Sequence, residues 1–365
     1  MDAPLGSGEI EFLRASYREY YYRASLWTPP GLESREMGFL TFEGSFRRHM
    51  RFGSPRELVA EVLREVPWGI FYSVSRYEDP SNPEMEGKGW MGADMVFDID
   101  VKDLHPPCIE EHDFHICEDG SVRRLSDPAP GCRRVDWVCP LCVEAGRREV
   151  LKLLDVLQRD LGVRPDSITV YFSGHRGFHV HVEGDLEDLA KEARAQVVEY
   201  LTLGSYDPGL ALRFLDTTED GLATLVGWPR RVADALRRRF GVPPTRAALE
   251  RLAGDPGSAV RQALQEVAVR IDPQVTMDLS RIFRMPTSLN EKTGLMKARC
   301  EDVIACDPLE EAVAIGDEPV KVEVSHAPKL HLGGYVYGPY DRASVRLPAY
   351  VAAFLVSKGV AKVVK

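Results

Sequence analysis

The segment ADMVFDIDV (93–101) places the strongest constraint on the fold. Met95, Phe97, Ile99 and Val101 alternate with Val96, Asp98 and Asp100, which is the period of a β-strand. One face is wholly apolar, so the strand belongs inside a sheet. The other face carries two carboxylates one residue apart and therefore on the same side. Two like charges this close beside a core repel and are poorly hydrated, so something positive must compensate. A divalent cation meets that need, because Mg²⁺ takes one or two carboxylates and keeps positions for substrate phosphates. Metal chemistry on phosphates generally draws a third carboxylate from elsewhere. Asp272 and Asp278, in RIDPQVTMD (270–278), are the candidates.

A second segment supplies the matching positive groups. FSGHRGFHVHV (172–182) has a glycine-pivoted turn, Ser173-Gly174-His175-Arg176-Gly177, followed by a strand. Phe178, Val180 and Val182 point one way, His179 and His181 the other. Glycines let backbone approach a ligand closely. Arg176 suits bidentate phosphate binding and His179 can donate to a phosphate oxygen. If this strand lies beside Asp98 and Asp100, metal, phosphate and cations form one triphosphate site.

Five of the seven cysteines lie between Cys108 and Cys142. In a chain whose N-terminus shows no basic segment followed by an apolar core, the expected compartment is the cytoplasm, and such clustering favours metal over disulfides. CPLC (139–142) is half of a tetrahedral zinc site. The other half comes from among Cys108, His112, His115, Cys117 and Cys132.

Helices are expected over 9–25, 54–66 (Ser54 capping, Pro55 at its first position), 142–162 and 349–359, and strands over 68–77, 93–101, 167–172 and 178–182. Leu151, Leu154, Val156 and Leu157 are the expected core stripe of the 142–162 helix, with Gly162 its C-cap. Residues 102–142 read as irregular. From 185 to 268 the pattern is almost purely helical, with Asp185 as the first cap. The expected domains are 1–184, the first part of the catalytic domain with a zinc motif at about 108–142; 185–268, a helical insertion; and 269–365, its second part. The arginine-rich stretch 229–251 reads as either a nucleic-acid patch or a solvated helix face. A net charge of −10 disfavours coating nucleic acid by charge alone, though not a local groove. No apolar run approaches the length of a membrane span.

Taken in order, FDID, the adjoining zinc ligands, SGHRGFHVHV and IDPQVTMDLSRIFRMPTSLNEKTG resemble the small catalytic subunit of archaeal and eukaryotic DNA primase, over about residues 35 to 295. The resemblance implies an α/β fold, a mixed central sheet flanked by helices with a zinc-binding motif and a helical inserted subdomain. It implies Asp98, Asp100 and Asp272 as ligands of two Mg²⁺ or Mn²⁺ ions, and Ser173, Arg176, His179, Arg270, Arg284 and Arg48 as nucleotide-binding residues. Cys108 and His112 match the first pair of zinc ligands and Cys139 and Cys142 the second, leaving Cys117 and Cys132 spare. Where the family has a phosphate-binding histidine, this chain has Asn290, which carries no charge; triphosphate affinity is then lower, or Lys292 compensates. The implied activity is template-directed synthesis of short RNA or DNA primers from NTPs or dNTPs on single-stranded DNA, releasing pyrophosphate. The implied partner is a large subunit in a heterodimer. A primer-extending repair or lesion-bypass polymerase of the same superfamily shares two of the motifs, but the zinc ligands directly after FDID and the long helical insertion favour primase. A non-catalytic, zinc-containing single-strand-binding subunit and a metal-dependent phosphohydrolase are readings of other classes; the acidic charge and the aspartate trio weigh against the former.

Overall fold

The computed structural model describes residues 5–364; the first four residues and Lys365 lie outside it. Among the described residues, two four-stranded sheets form the centre. One runs Ile282–Arg284, Gly69–Ser73, Met37–Leu40, Phe46–Met50; the other runs Ala298–Cys300, Ile168–Phe172, Phe178–Val182, Met95–Ile99. Every pairing in both is antiparallel. The segment 282–300 supplies an edge strand to each sheet and so crosses between them. The α/β architecture read from the sequence holds, with its central layer divided in two.

Local chemistry explains the boundaries. Ser54 accepts from the Glu57 N–H and Pro55 opens the helix Pro55–Glu65, as its cap signature requires. Strand Met95–Ile99 ends because Asp100 turns its side chain onto the Lys102 N–H and starts a short helix. Asp100 itself keeps extended backbone (φ −92°, ψ 126°), so the two-residue period still brings it to the face of Asp98. Helix Pro140–Arg159 buries Val143, Val150, Leu153, Val156 and Leu157. Leu151, expected on that stripe, is exposed; the helix begins two residues earlier than expected, and the face it presents to the sheet runs through Leu153. The chain ends this helix at Asp160 rather than Gly162. Asp185 caps no helix: its carboxylate takes the Arg164 backbone N–H at 3.0 Å, and the next helix starts at Lys191.

Residues 102–142 are more ordered than their composition suggests. Helix Cys108–His112 leads into a three-stranded sheet of Val122–Arg124, Phe114–Ile116 and Arg133–Val135. Cys117 and Cys132 are joined across it by a disulfide, and Cys300 and Cys306 form a second one. For Cys117 and Cys132 the expectation of metal over disulfides is corrected: the hairpin's antiparallel pairing brings them together.

Between Pro208 and Val267 five helices pack around a core of their own, with Leu215, Trp228, Val232, Leu236, Val260 and Leu264 inside, whereas helix Lys191–Thr202 packs on Pro273–Met277 and puts Leu201 into the main core. The arginines of 229–251 mostly face carboxylates there. Arg231 bridges Asp155 and Asp160, Arg230 pairs with Asp234 and Arg238 with Glu266. The C-terminal strands Pro319–Ala327, Tyr340–Pro348 and Ala361–Val363 cradle the apolar helix Ala349–Ser357. No helix among the described residues is long and apolar enough to cross a membrane.

Candidate active site and metal centre

The two diagnostic segments lie side by side. Strands Met95–Ile99 and Phe178–Val182 pair so that His179 stands directly opposite Asp98, and His179 Nε2 is 3.6 Å from Asp98 Oδ1. Far along the chain, Asp272 donates its backbone N–H to the Asp98 carbonyl at 3.0 Å. The helix it caps, Pro273–Met277, is tied to the same strand by Thr276 Oγ1 bonding Val96 O at 3.0 Å. Asp278 turns instead onto Ser280. Asp272 is thus tied by its backbone to the strand of Asp98, near enough for the charges of Asp100 and Asp272 to act on Asp98, although Asp272 does not line the cleft beside that strand. Asp100 and Asp272 each accept a backbone N–H with one oxygen.

Their electrostatics diverge. Burial, together with the charges of Asp100 and Asp272, pushes the Asp98 carboxyl up to about 7. Burial acts the same way on Asp100, but the Lys102 N–H, the Lys102 ammonium and Arg176 outweigh it and hold this carboxyl below the ordinary range. His179 is driven well below the usual imidazole range by burial and by Lys297, Arg284 and Arg281. It is neutral at pH 7, and its buried Nδ1 has no partner.

The glycine turn does what its composition suggests. Ser173 Oγ accepts from the N–H groups of His175 and Gly177. Gly174 has φ +80°, and a Cβ on Gly177 would fall 2.4 Å from the Ile99 carbonyl, so this turn can press against the end of the aspartate strand only as glycine. A cleft of about 310 Å³ opens here where the two sheets meet. Asp98, Asp100, Ser173, His179, Arg284 and Asn290 line it, with Arg281, Lys292, Phe71 and Phe283.

Not every expected phosphate ligand is free to serve. Arg176 is buried and gives Nη1 to Asp113 at 3.0 Å; its Nε, 3.9 Å from Asp100, has no hydrogen-bond partner. It props the aspartates rather than facing the cleft. Arg284 contacts Glu291 and donates to the Leu289 carbonyl at 2.9 Å. Arg48 sits on Glu36 at 2.7 Å and Arg270 reaches the Leu104 carbonyl at 3.4 Å; neither lines the cleft. Asn290 is buried, accepting from the Lys292 N–H and donating to the Ser173 carbonyl, so it locks the glycine turn. His181, on the same strand face as His179, is a core residue held between Tyr72 OH and Lys297 Nζ, each at 3.1 Å. Arg281 was missed, although it stands three residues before Arg284. Asp113 was missed as well, and its signal is its position directly after His112.

Beside the cleft, Cys108, His112, Cys139 and Cys142 bring their ligand atoms within 4.8 Å of one another, a set able to hold a metal ion. Sulfur–sulfur distances are 3.6 Å (Cys108–Cys142) and 3.8 Å (Cys139–Cys142), and His112 Nε2 lies 3.2 Å from Cys142 Sγ. The other imidazole nitrogen, Nδ1, is 3.0 Å from Asp113 Oδ1. Asp113 thus joins the Cys/His set to Arg176, and through it to Asp100. His115 lies on the neighbouring hairpin, its Nδ1 3.4 Å from the Arg124 carbonyl.

A family model for the DNA primase small subunit matches residues 97–301, which span the aspartates, the Cys/His set, the glycine turn and the 270–294 segment. The DNA primase small subunit PriS of Cenarchaeum symbiosum is 33% identical over 97% of this chain and 98% of that protein. The chain belongs to the DNA primase small subunit family. PriS of Archaeoglobus fulgidus is 31% identical over 95% of this chain and 97% of that protein, and PriS of Nitrosopumilus maritimus 28% identical over 97% and 99%. Among solved structures, the polymerase domain of Mycobacterium tuberculosis Ligase D in complex with DNA covers 80% of this chain and 84% of that one, at 12% identity and a TM-score of 0.37. As a family member, the chain is the catalytic primase subunit of replication, a DNA-directed nucleotidyltransferase that uses divalent metal.

Proposed function

We propose that Asp98, Asp100 and Asp272 hold the divalent cations, Mg²⁺ or Mn²⁺, of primer synthesis, and that the cleft at their side receives the nucleoside triphosphate. The observation that carries this is the Asp272 N–H to Asp98 carbonyl bond, which joins segments 174 positions apart at the one strand bearing Asp-x-Asp. Cations bound there would ease deprotonation of a 3′-hydroxyl and offset charge on the departing pyrophosphate. The protein's own groups orient and neutralise. Neutral His179, Ser173, Arg281 and Lys292 face the triphosphate, and Arg284 adds its charge at the cleft wall while held by Glu291 and the Leu289 carbonyl. Arg176 acts by fixing Asp100, and Asn290 by fixing the turn. No side-chain nucleophile is required, because positioning and charge compensation supply the catalysis.

The Cys/His set fits zinc. A tetrahedral ion with Zn–S near 2.3 Å places sulfurs about 3.8 Å apart, and a carboxylate behind the histidine is the usual support for such a ligand. Zinc there would tie helix Cys108–His112 to the start of helix Pro140–Arg159, closing the base of the hairpin between them. In this reading the chain works in the cytoplasm with a primase large subunit, on single-stranded DNA, with NTPs or dNTPs.

The test is extension of a primed template by the purified chain with its divalent ion. Asp98→Asn and Asp272→Asn should each lose at least about 100-fold in product while retaining zinc and the wild-type circular dichroism. Extension above a few per cent of wild type by either variant would end the assignment of that residue.

A further inference from the structure

Asp113 stands between the Cys/His set and the catalytic aspartates. It follows His112 at the end of helix Cys108–His112, and its side chain is fully buried. Oδ1 lies 3.0 Å from His112 Nδ1 and accepts the Trp137 N–H at 2.9 Å. Oδ2 accepts from Arg134 at 2.7 Å and from Arg176 Nη1 at 3.0 Å. Arg176 is buried as well, and Nη1 also lies 3.4 Å from the Trp137 carbonyl. Its Nε points the other way, 3.9 Å from Asp100 Oδ1, with no hydrogen-bond partner. An unrestrained guanidinium beside a carboxylate closes to about 2.8 Å and pairs through two nitrogens. Held by Asp113, Arg176 stops short of that pairing.

One buried guanidinium therefore has two arrangements. On Asp113, it leaves the oxygens of Asp100 to a cation, with Lys102 as the neighbour to displace, its Nζ 3.1 Å from Oδ2 and its side chain mostly exposed. Closed on Asp100, it would occupy the lone pairs that a divalent ion needs. The orientation of Asp113 selects between them, and His112 helps to set that orientation. Zinc on His112 Nε2 leaves the ring proton on Nδ1, where it donates to Asp113. Without zinc either ring nitrogen can carry the proton, and a bare Nδ1 would set its lone pair against the carboxylate.

We propose that Asp113 is a positioning residue through which zinc in the Cys/His set raises the affinity of Asp98 and Asp100 for the catalytic divalent cation, by holding Arg176 back from Asp100. The proposal rests on the reading that these aspartates bind that cation. By linkage, a cation on the aspartates tightens zinc binding by the same factor.

Mn²⁺ binding to the zinc-loaded full chain is measured by electron paramagnetic resonance of the free ion, without nucleotide. Asp113→Asn should bind Mn²⁺ about 10-fold more weakly, the cost of displacing a hydrogen-bonded arginine from Asp100. Asp113→Asn/Arg176→Gln leaves neither buried charge alone and should recover most of that loss, whereas a residue that only supports the fold would leave the single variant's affinity unchanged. Zinc loss to a zinc-selective chelator is then measured with and without saturating Mg²⁺. Mg²⁺ should tighten zinc about 5-fold or more in wild type and leave it unmoved in the double variant and in Asp98→Asn. Wild-type Mn²⁺ affinity in Asp113→Asn, or wild-type zinc indifferent to Mg²⁺, overturns the proposal and spares the catalytic reading if Asp98→Asn loses Mn²⁺. So does a Mg²⁺ effect that persists in the double variant, whether or not Asp113→Asn folds. Mn²⁺ binding retained by Asp98→Asn overturns both.

Discussion

Asp98→Asn should make the protein more stable while removing its activity. In the fold this carboxyl is pushed from the ordinary 3.8 to about 7 by burial, Asp100 and Asp272. At about 1.4 kcal/mol per pH unit, ionised Asp98 is on the order of 4 kcal/mol less favourable in the fold than in the unfolded chain. The sign follows from the raised folded value. Between about pH 4 and 7 the native state holds a proton that the unfolded chain has released, so stability falls as pH rises through that window. Asparagine keeps the shape and never ionises. Without Mg²⁺ or Mn²⁺, the variant should exceed wild type by about 2–4 kcal/mol at pH 8, and the difference should vanish towards pH 4. Urea unfolding at a series of pH values, in buffer free of both ions, measures it. Adding Mg²⁺ or Mn²⁺ at pH 8 should raise the midpoint of wild type and leave the variant unmoved, because only the native aspartate set binds the ion. A variant no more stable at pH 8, or an advantage independent of pH, would refute the argument that these three carboxylates share a common, poorly hydrated space.

Two further outcomes follow from the packing. Asp113→Ala strands the buried Arg176 charge and removes the acceptor for the Trp137 N–H at 2.9 Å, so it should cost about 3–5 kcal/mol, read as faster hydrogen exchange at the Trp137 amide; wild-type protection there would show that water replaces the pair. Gly177→Ala drives a methyl to within 2.4 Å of the Ile99 carbonyl, and should cut extension at least 10-fold by moving the aspartate strand, with zinc content unchanged; full activity would mean that the turn yields without disturbing Asp98.

The strands and their faces were legible because period two is local: FDIDV and FHVHV each state which residues share a side, and Ser54-Pro55 states where a helix starts. That Cys108, His112, Cys139 and Cys142 come together was legible from spacing and resemblance. The disulfide Cys117–Cys132 was not, because pairing depends on a hairpin hidden in an irregular-looking, polar stretch. The two histidines of FHVHV show the same division. Alternation puts both on one face, yet His179 reaches the cleft while His181 is sealed between Tyr72 and Lys297. Depth along a strand depends on what the other sheet lays over it.

By itself, the sequence determined which groups must be compensated: carboxylates on an apolar strand and thiols in a cluster carry that demand wherever they fold. Tertiary structure alone decided which cation answers which anion. Arg176, a phosphate ligand by composition, belongs to Asp113, and Asn290 belongs to the turn it holds. Such pairings are settled by distances of a few ångströms between segments more than 60 and 110 residues apart, and electrostatic energy falls with separation in space, which no local pattern records.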